Sequence, residues 1–116
     1  MHELSIVTNV LETATRAAKS KGAIKLKAVN LSVGVYKQVI DDALQFSWDF
    51  MSDIDDFTKG SVLNVDYVEP ESLCPECGEV FSHDMFHRKC PKCGCEWTTL
   101  MKGSDIEISS IEIEEE

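Results

Sequence analysis

Apolar residues recur along the start of the chain with the period of an α-helix. Leu4, Val7, Leu11, Ala14 and Ala18 fall at alternating spacings of three and four, and Val10 and Ala17 widen the arc. The pattern predicts an amphipathic helix over residues 2–20, closed by Lys21 and Gly22. Glu3 lies in its first turn, where a carboxylate suits the helix dipole, so capping is the plain structural reading of that residue. Over residues 24–33 the period drops to two. Ile24, Leu26 and Ala28 alternate with polar residues, then Val29, Leu31 and Val33 continue one residue out of phase, as a bulge or twist near Ala28 would produce. Gly34 ends this strand.

A second helix is expected from Val39 to about Ile54. Its apolar arc takes in Ile40, Ala43, Leu44, Trp48, Phe50 and Met51, while Asp41, Asp42, Gln45, Asp49, Ser52 and Asp53 fall opposite. This reading puts Trp48 and the phenylalanines in the core and the aspartates in water rather than around a metal ion. Lys59 and Gly60 break to a second strand, in which Leu63, Val65 and Tyr67 share a face. Residues 105–113 form a third, with Ile106 and Ile108 followed, after another change of phase, by Ile111 and Ile113. A lone last strand has nowhere to bury its isoleucines, so it should return to the first sheet. If the first two strands are neighbours there, the helix between them makes a right-handed parallel unit.

What lies between the second and third strands changes the picture. Residues 74–93 read CPECGEVFSHDMFHRKCPKC, two CxxC pairs whose thiolates can turn back onto one ion. Gly78 and Gly94 follow the pairs and can close each knuckle. Four thiolates at this spacing favour structural zinc through Cys74, Cys77, Cys90 and Cys93, with rubredoxin-type iron as the competitor. The expected fold class is therefore α/β (α+β): a small three-stranded sheet with two helices, plus an inserted zinc-ribbon or knuckle domain. The α/β domain would take residues 1–72 and be completed by 102–116, and the zinc-binding domain would take 73–101.

Composition narrows the function. Acidic residues number 21 against 11 basic, for a formal charge of -10, so nucleic acid is a poor partner. Some of that charge sits in a tail, Glu114 to Glu116, expected to be solvated. No signal-peptide pattern opens the chain and no apolar run approaches membrane-spanning length, so a cytoplasmic protein without membrane contact is expected. Paired CxxC motifs in a reducing compartment read as metal ligands rather than disulfides, and Cys95 as a spare thiol.

A closed four-thiolate site holds shape and does not activate water, and no nucleophile and base or phosphate loop accompanies it. An enzyme is not expected. One chemical feature is left at the start of the chain. In Met1-His2-Glu3 the α-amine, the amide nitrogen of His2 and its imidazole can form fused chelate rings, nitrogen donors that suit Ni(II) or Cu(II). An early histidine is also, in many chains, simply exposed.

The opening MHELSI together with CPECG and CPKCG resembles the HypA/HybF family of nickel maturation factors for [NiFe] hydrogenases. The similarity runs through the strand ending at Gly34, the Ala43-Leu44 and Phe46 stretch, both knuckles and the closing Ile111-Glu112. It implies a metallochaperone whose α/β domain binds nickel through His2, with Glu3 assisting or contacting a partner, which joins the chelate reading of Met1 and His2 above. It also implies zinc on Cys74, Cys77, Cys90 and Cys93. The implied partners are a nickel-maturation GTPase and the hydrogenase large subunit precursor, with urease as a further client. After Gly34 the chain departs from the family pattern, because Val35, Tyr36, Lys37, Gln38 and Val39 replace a small-residue and proline stretch. His83 and His87 are expected as loop residues. The rival readings are a zinc-ribbon adaptor or nucleic-acid module with an incidental His2, and a rubredoxin-like electron carrier.

Overall fold

The first helix, α1 (His2–Ser20), buries Val7, Val10, Leu11, Ala14 and Ala18, although Leu4, at the edge of the expected arc, is partly exposed. This computed structural model describes residues 2–116. The strand β1 (Ala23–Gly34) follows, with Ala28 and Val29 buried in succession where the phase of the pattern slips. A 3-10 turn, Val35–Lys37, precedes α2 (Asp41–Ser52), which starts two residues later than the periodicity implies. The remaining strands are β2 (Val62–Val68), β3 (Glu71–Leu73), β4 (Val80–Ser82), β5 (Thr99–Lys102) and β6 (Ile106–Glu115).

Two three-stranded sheets result, ordered β2-β1-β6 and β4-β3-β5. The last strand returns to the first sheet, as its isoleucines require, and all four are half-buried there. It runs on to Glu115, so Glu114 and Glu115 belong to an exposed strand end rather than to a tail, a correction that follows from pairing with β1. Tracing β1 from Leu26 to Asn30, its partners advance from the Phe57 carbonyl (2.9 Å) to the Asn64 amide (2.9 Å), so β1 and β2 run the same way. Parallel neighbours need a crossover, and α2 supplies it.

The chain divides into two compact units. The first takes the chain up to Leu31, then Val39–Asp66 and Glu107–Glu116; the second takes Ser32–Gln38 and Tyr67–Ile106. In the first unit α1 packs on α2, and Leu26, Val29, Leu31, Leu44, Trp48 and Leu63 join the buried residues of α1. Trp48 satisfies its indole N–H on the Ser61 carbonyl at 3.2 Å, which lets the largest side chain of the core be buried whole. Phe46 and Phe50 correct the expectation that the phenylalanines are core: they are 74% and 63% exposed, because only the Leu44, Ser47, Trp48 and Ser52 side of α2 is buried. The aspartates Asp41, Asp42, Asp49 and Asp53 are exposed as expected. Across the sheet, Asn30 links all three strands, donating to Ser110 Oγ at 2.9 Å and accepting from Asn64 at 2.9 Å.

The second unit contains a sheet that the apolar pattern does not announce. β3 lies antiparallel between β4 and β5, with Ser72 opposite both Phe81 and Leu100. Gly34 belongs to this unit, where its N–H donates to the Asp105 carbonyl at 2.7 Å and the next turn adds Tyr36 N–H to the Gly103 carbonyl at 2.8 Å. The approach is so close that a Cβ on Gly34 would stand 2.2 Å from the Gly103 carbonyl carbon. Tyr36, one of the residues that depart from the family pattern, thus has structural work, and its hydroxyl also donates to the Met85 carbonyl at 3.3 Å.

Candidate metal centres

Each CxxC pair folds into the same turn. In the first, Gly78 N–H donates to the Cys74 carbonyl (2.8 Å) and Cys74 N–H to the Glu79 carbonyl (2.8 Å). In the second, Gly94 donates to Cys90 (3.0 Å) and Cys90 to Cys95 (2.9 Å). Both glycines have positive φ, 77° and 81°, a conformation that a side chain would strain. The two turns face one another, with Cys74 Sγ 3.4 Å from Cys93 Sγ and Cys77 Sγ 3.6 Å from Cys90 Sγ. All four sulfurs lie within 4.8 Å of one another. Sulfurs about 2.3 Å from a tetrahedral zinc would be about 3.8 Å apart. The spacing therefore fits one zinc ion and is too wide for a disulfide, whose sulfurs are about 2 Å apart; all five cysteines are free thiols.

The thiols interact strongly. The Cys77 N–H leads the contacts that hold Cys74 down to about 6; burial works to raise Cys90, but the N–H groups of Cys93 and Lys92 together with the Cys77 and Cys93 sulfurs lower it. The other two go up. The Cys95 N–H favours the Cys93 thiolate, but hydrogen bonding to Cys74 and burial push that thiol up to about 12. Cys77 likewise rises despite the Glu79 N–H, through burial and the Cys90 and Cys74 sulfurs. Four sulfurs this close share protons until a cation replaces them, and a bound divalent metal deprotonates its thiol ligands outright. Cys95 takes part only through its main chain and stays outside the four-sulfur group.

Neither histidine of the intervening loop joins the sulfurs. His83 is half-buried. Its Nδ1 lies 2.6 Å from the Asp84 carbonyl, which can only accept, so Nδ1 carries the hydrogen and Nε2 accepts from the Ser72 hydroxyl at 2.7 Å. The ring also lies edge-on to Tyr36, with centroids 6.5 Å apart, so its place is structural. His87 is exposed and pairs with the Asp84 carboxylate at 2.7 Å.

At the start of the chain, Met1 lies outside the described residues, and His2 is the exposed first residue of α1. Glu3 is not the exposed carboxylate that its place in a first turn suggests: it is 7% exposed, and its Oε2 accepts the Ile40 N–H at 3.2 Å. That hydrogen bond leads the causes that hold its carboxyl below the usual value. Ile40 begins α2 with an extended backbone and no side-chain cap, so Glu3 satisfies a main-chain donor there. Ile40 was invisible as a partner because it is distant in sequence and contributes only its main chain.

The comparisons agree with this geometry. The family model for hydrogenase/urease nickel incorporation, metallochaperone, hypA matches residues 1–113. The chain is similar to the hydrogenase maturation factor HypA of Dehalococcoides mccartyi, 33% identical over all of this chain and 97% of that one. It is similar also to that of a Roseiflexus species, 32% identical over 100% and 94%. The solution structure of the Ni metallochaperone HypA from Helicobacter pylori shares its fold, with a TM-score of 0.73 at 21% identity and full coverage of both chains. A matched family model over nearly the whole chain, on a fold whose four cysteines meet at one point, places the protein: it belongs to the HypA family of metallochaperones for hydrogenase and urease nickel incorporation.

Proposed function

We propose that the nickel cargo is held at the chain start, by the Met1 α-amine and by the His2 amide nitrogen and imidazole, while Cys74, Cys77, Cys90 and Cys93 hold the structural zinc. The observation that carries this reading is that α1 begins at His2. The first N–H groups of a helix have no acceptor within it, so the His2 amide can give up its proton to a metal without breaking a helical hydrogen bond. A cation there meets the positive end of the helix dipole. Glu3, kept ionised by the Ile40 N–H, sets a negative charge beside it and anchors the turn that presents His2.

Binding and transfer, rather than turnover, are the activity in this reading. The protein works in the cytoplasm, receives or passes Ni(II) in concert with a nickel-maturation GTPase, and delivers it to the hydrogenase large subunit precursor. Calorimetric titration of untagged, zinc-loaded protein with Ni(II) is the test. An N-terminal extension acylates the α-amine and His2→Ala removes the imidazole; either abolishes nickel binding with zinc content unchanged. Tagged or His2→Ala protein that still binds nickel as tightly as the parent refutes the N-terminal site.

A further inference from the structure

The outer side of α2 carries more apolar surface than a solvated helix face needs. Phe46 and Phe50 are joined by Ile54, 70% exposed, just past the end of α2, and a spacing of four lines the three up in one stripe. Asp42, Asp49 and Asp53 are also exposed, and at 3.6 residues per turn they form a second stripe directly beside the first. Among the described residues the ion pair on that stripe is Lys59 with Asp53, at 3.8 Å and open to water. The core takes the opposite side of the helix, so the aromatic stripe has no part in holding the first unit together.

We propose that this face of α2 is a docking surface for a protein segment that sets lysine or arginine side chains beside an apolar stripe, as a basic amphipathic helix does. Charge selects this occupant. In a twofold dimer the same patch meets itself, which would press aspartate against aspartate. An anionic membrane surface and a nucleic acid are repelled by the same stripe. A basic helix instead covers Phe46 and Phe50 with its apolar side and neutralises Asp42 and Asp49 with its flank. Buried aromatic residues supply most of the affinity in such contacts, while the charges set orientation and salt dependence. The nearest competitor is a groove of about 560 Å³ between α1 and α2, which is lined by Leu11 and Met51, shares Ile54 with the stripe and sets Arg16 and Lys19 against Glu12 and Asp55, so its charge does not select a cationic ligand.

The test uses the full, zinc-loaded, isotopically labelled chain and two synthetic helices, one of leucine and lysine and one in which glutamate replaces the lysine. The lysine helix should give saturable NMR shifts along the outer face of α2 that weaken as salt is raised, and the glutamate helix none. Phe46→Ser with Phe50→Ser should weaken binding about tenfold or more. Asp42→Lys with Asp49→Lys should reverse the preference between the helices, and Asp42→Asn with Asp49→Asn should remove the salt dependence. All these positions are exposed, so nickel titrations of the variants should match the parent, which separates this surface from the nickel site; thermal melts should match too, except for a small loss in the Asp42 variants, whose carboxylate sits in the first turn of α2. Equal binding of both helices, shifts centred on the α1–α2 groove, affinity unchanged in the variants, or self-association through this face in sedimentation would each overturn the proposal.

Discussion

The two units solve the problem of ordering a short chain by different means. In the first, two helices bury aliphatic side chains and one tryptophan against a sheet, and the tryptophan N–H caught inside is paired, although the Ser61 hydroxyl is buried without a partner. In the second, the most deeply buried side chains include Val33, Pro70, Ser72 and Cys74, two of them polar or sulfur-bearing, and the strands beside them are three or four residues long. So little apolar burial cannot offset the chain entropy of the forty-seven residues in Ser32–Gln38 and Tyr67–Ile106, whereas a metal can. One unit is held by its core and the other by its ion. Damage to either should therefore be separable.

The largest effect is expected at the sulfurs. Structural zinc contributes about 10–16 kcal/mol of apparent binding free energy in small finger peptides, so Cys90→Ser or a strong chelator should remove amide protection from β3, β4 and β5 and leave α1 and α2 protected. Protection of β3 that survives Cys90→Ser would break the contrast. Next comes the core of the first unit, where Leu44→Ala should cost about 2–5 kcal/mol in a urea melt. Zinc should stay bound, and a Leu44→Ala loss within surface-substitution range would place the core elsewhere.

A smaller effect is tied to pH. The Glu3 carboxyl titrates below its ordinary value of 4.5, so its contact with the Ile40 N–H adds stability that is present above that value and fades as pH falls through the lower folded value. Acid titration should then free the Ile40 amide to exchange, and Glu3→Gln should flatten that dependence; an identical acid profile in the variant would dismiss the contact. The smallest change is Asp49→Ala, expected within about 0.5 kcal/mol in the same melts. A large loss there would mean that α2 buries a second face.

What the chain's pattern showed, and what it hid, follows the same division. The helices, the return of the last strand and the four-sulfur site were legible because each rests on a period or a spacing. Phe46 and Phe50 were misplaced because hydrophobicity alone does not say how wide a stripe a small sheet can cover. The second sheet was hidden because strands held by a metal and by main-chain pairing need no alternation. Glu114 and Glu115 carry no strand signal of their own, and pairing with β1 draws them in. Glu3 kept its partner out of view because a main-chain N–H has no residue type.

The clasp of Gly34 on Asp105 and of Tyr36 on Gly103 bears on how the chain reaches this structure. β1 and β6 lie at opposite ends of the sequence, and joining distant strands directly means closing a long loop, which slows folding. Once zinc has gathered the second unit, the end of β1 and the start of β6 are already held together there at 2.7 and 2.8 Å. The remaining pairing can then zip from that point, one residue after the next, with Asn30 and Ser110 among the first side chains to check the register. Zinc, which makes no part of the first unit's core, is therefore expected to speed the pairing of β1 with β6, and refolding rates with and without the metal would measure that.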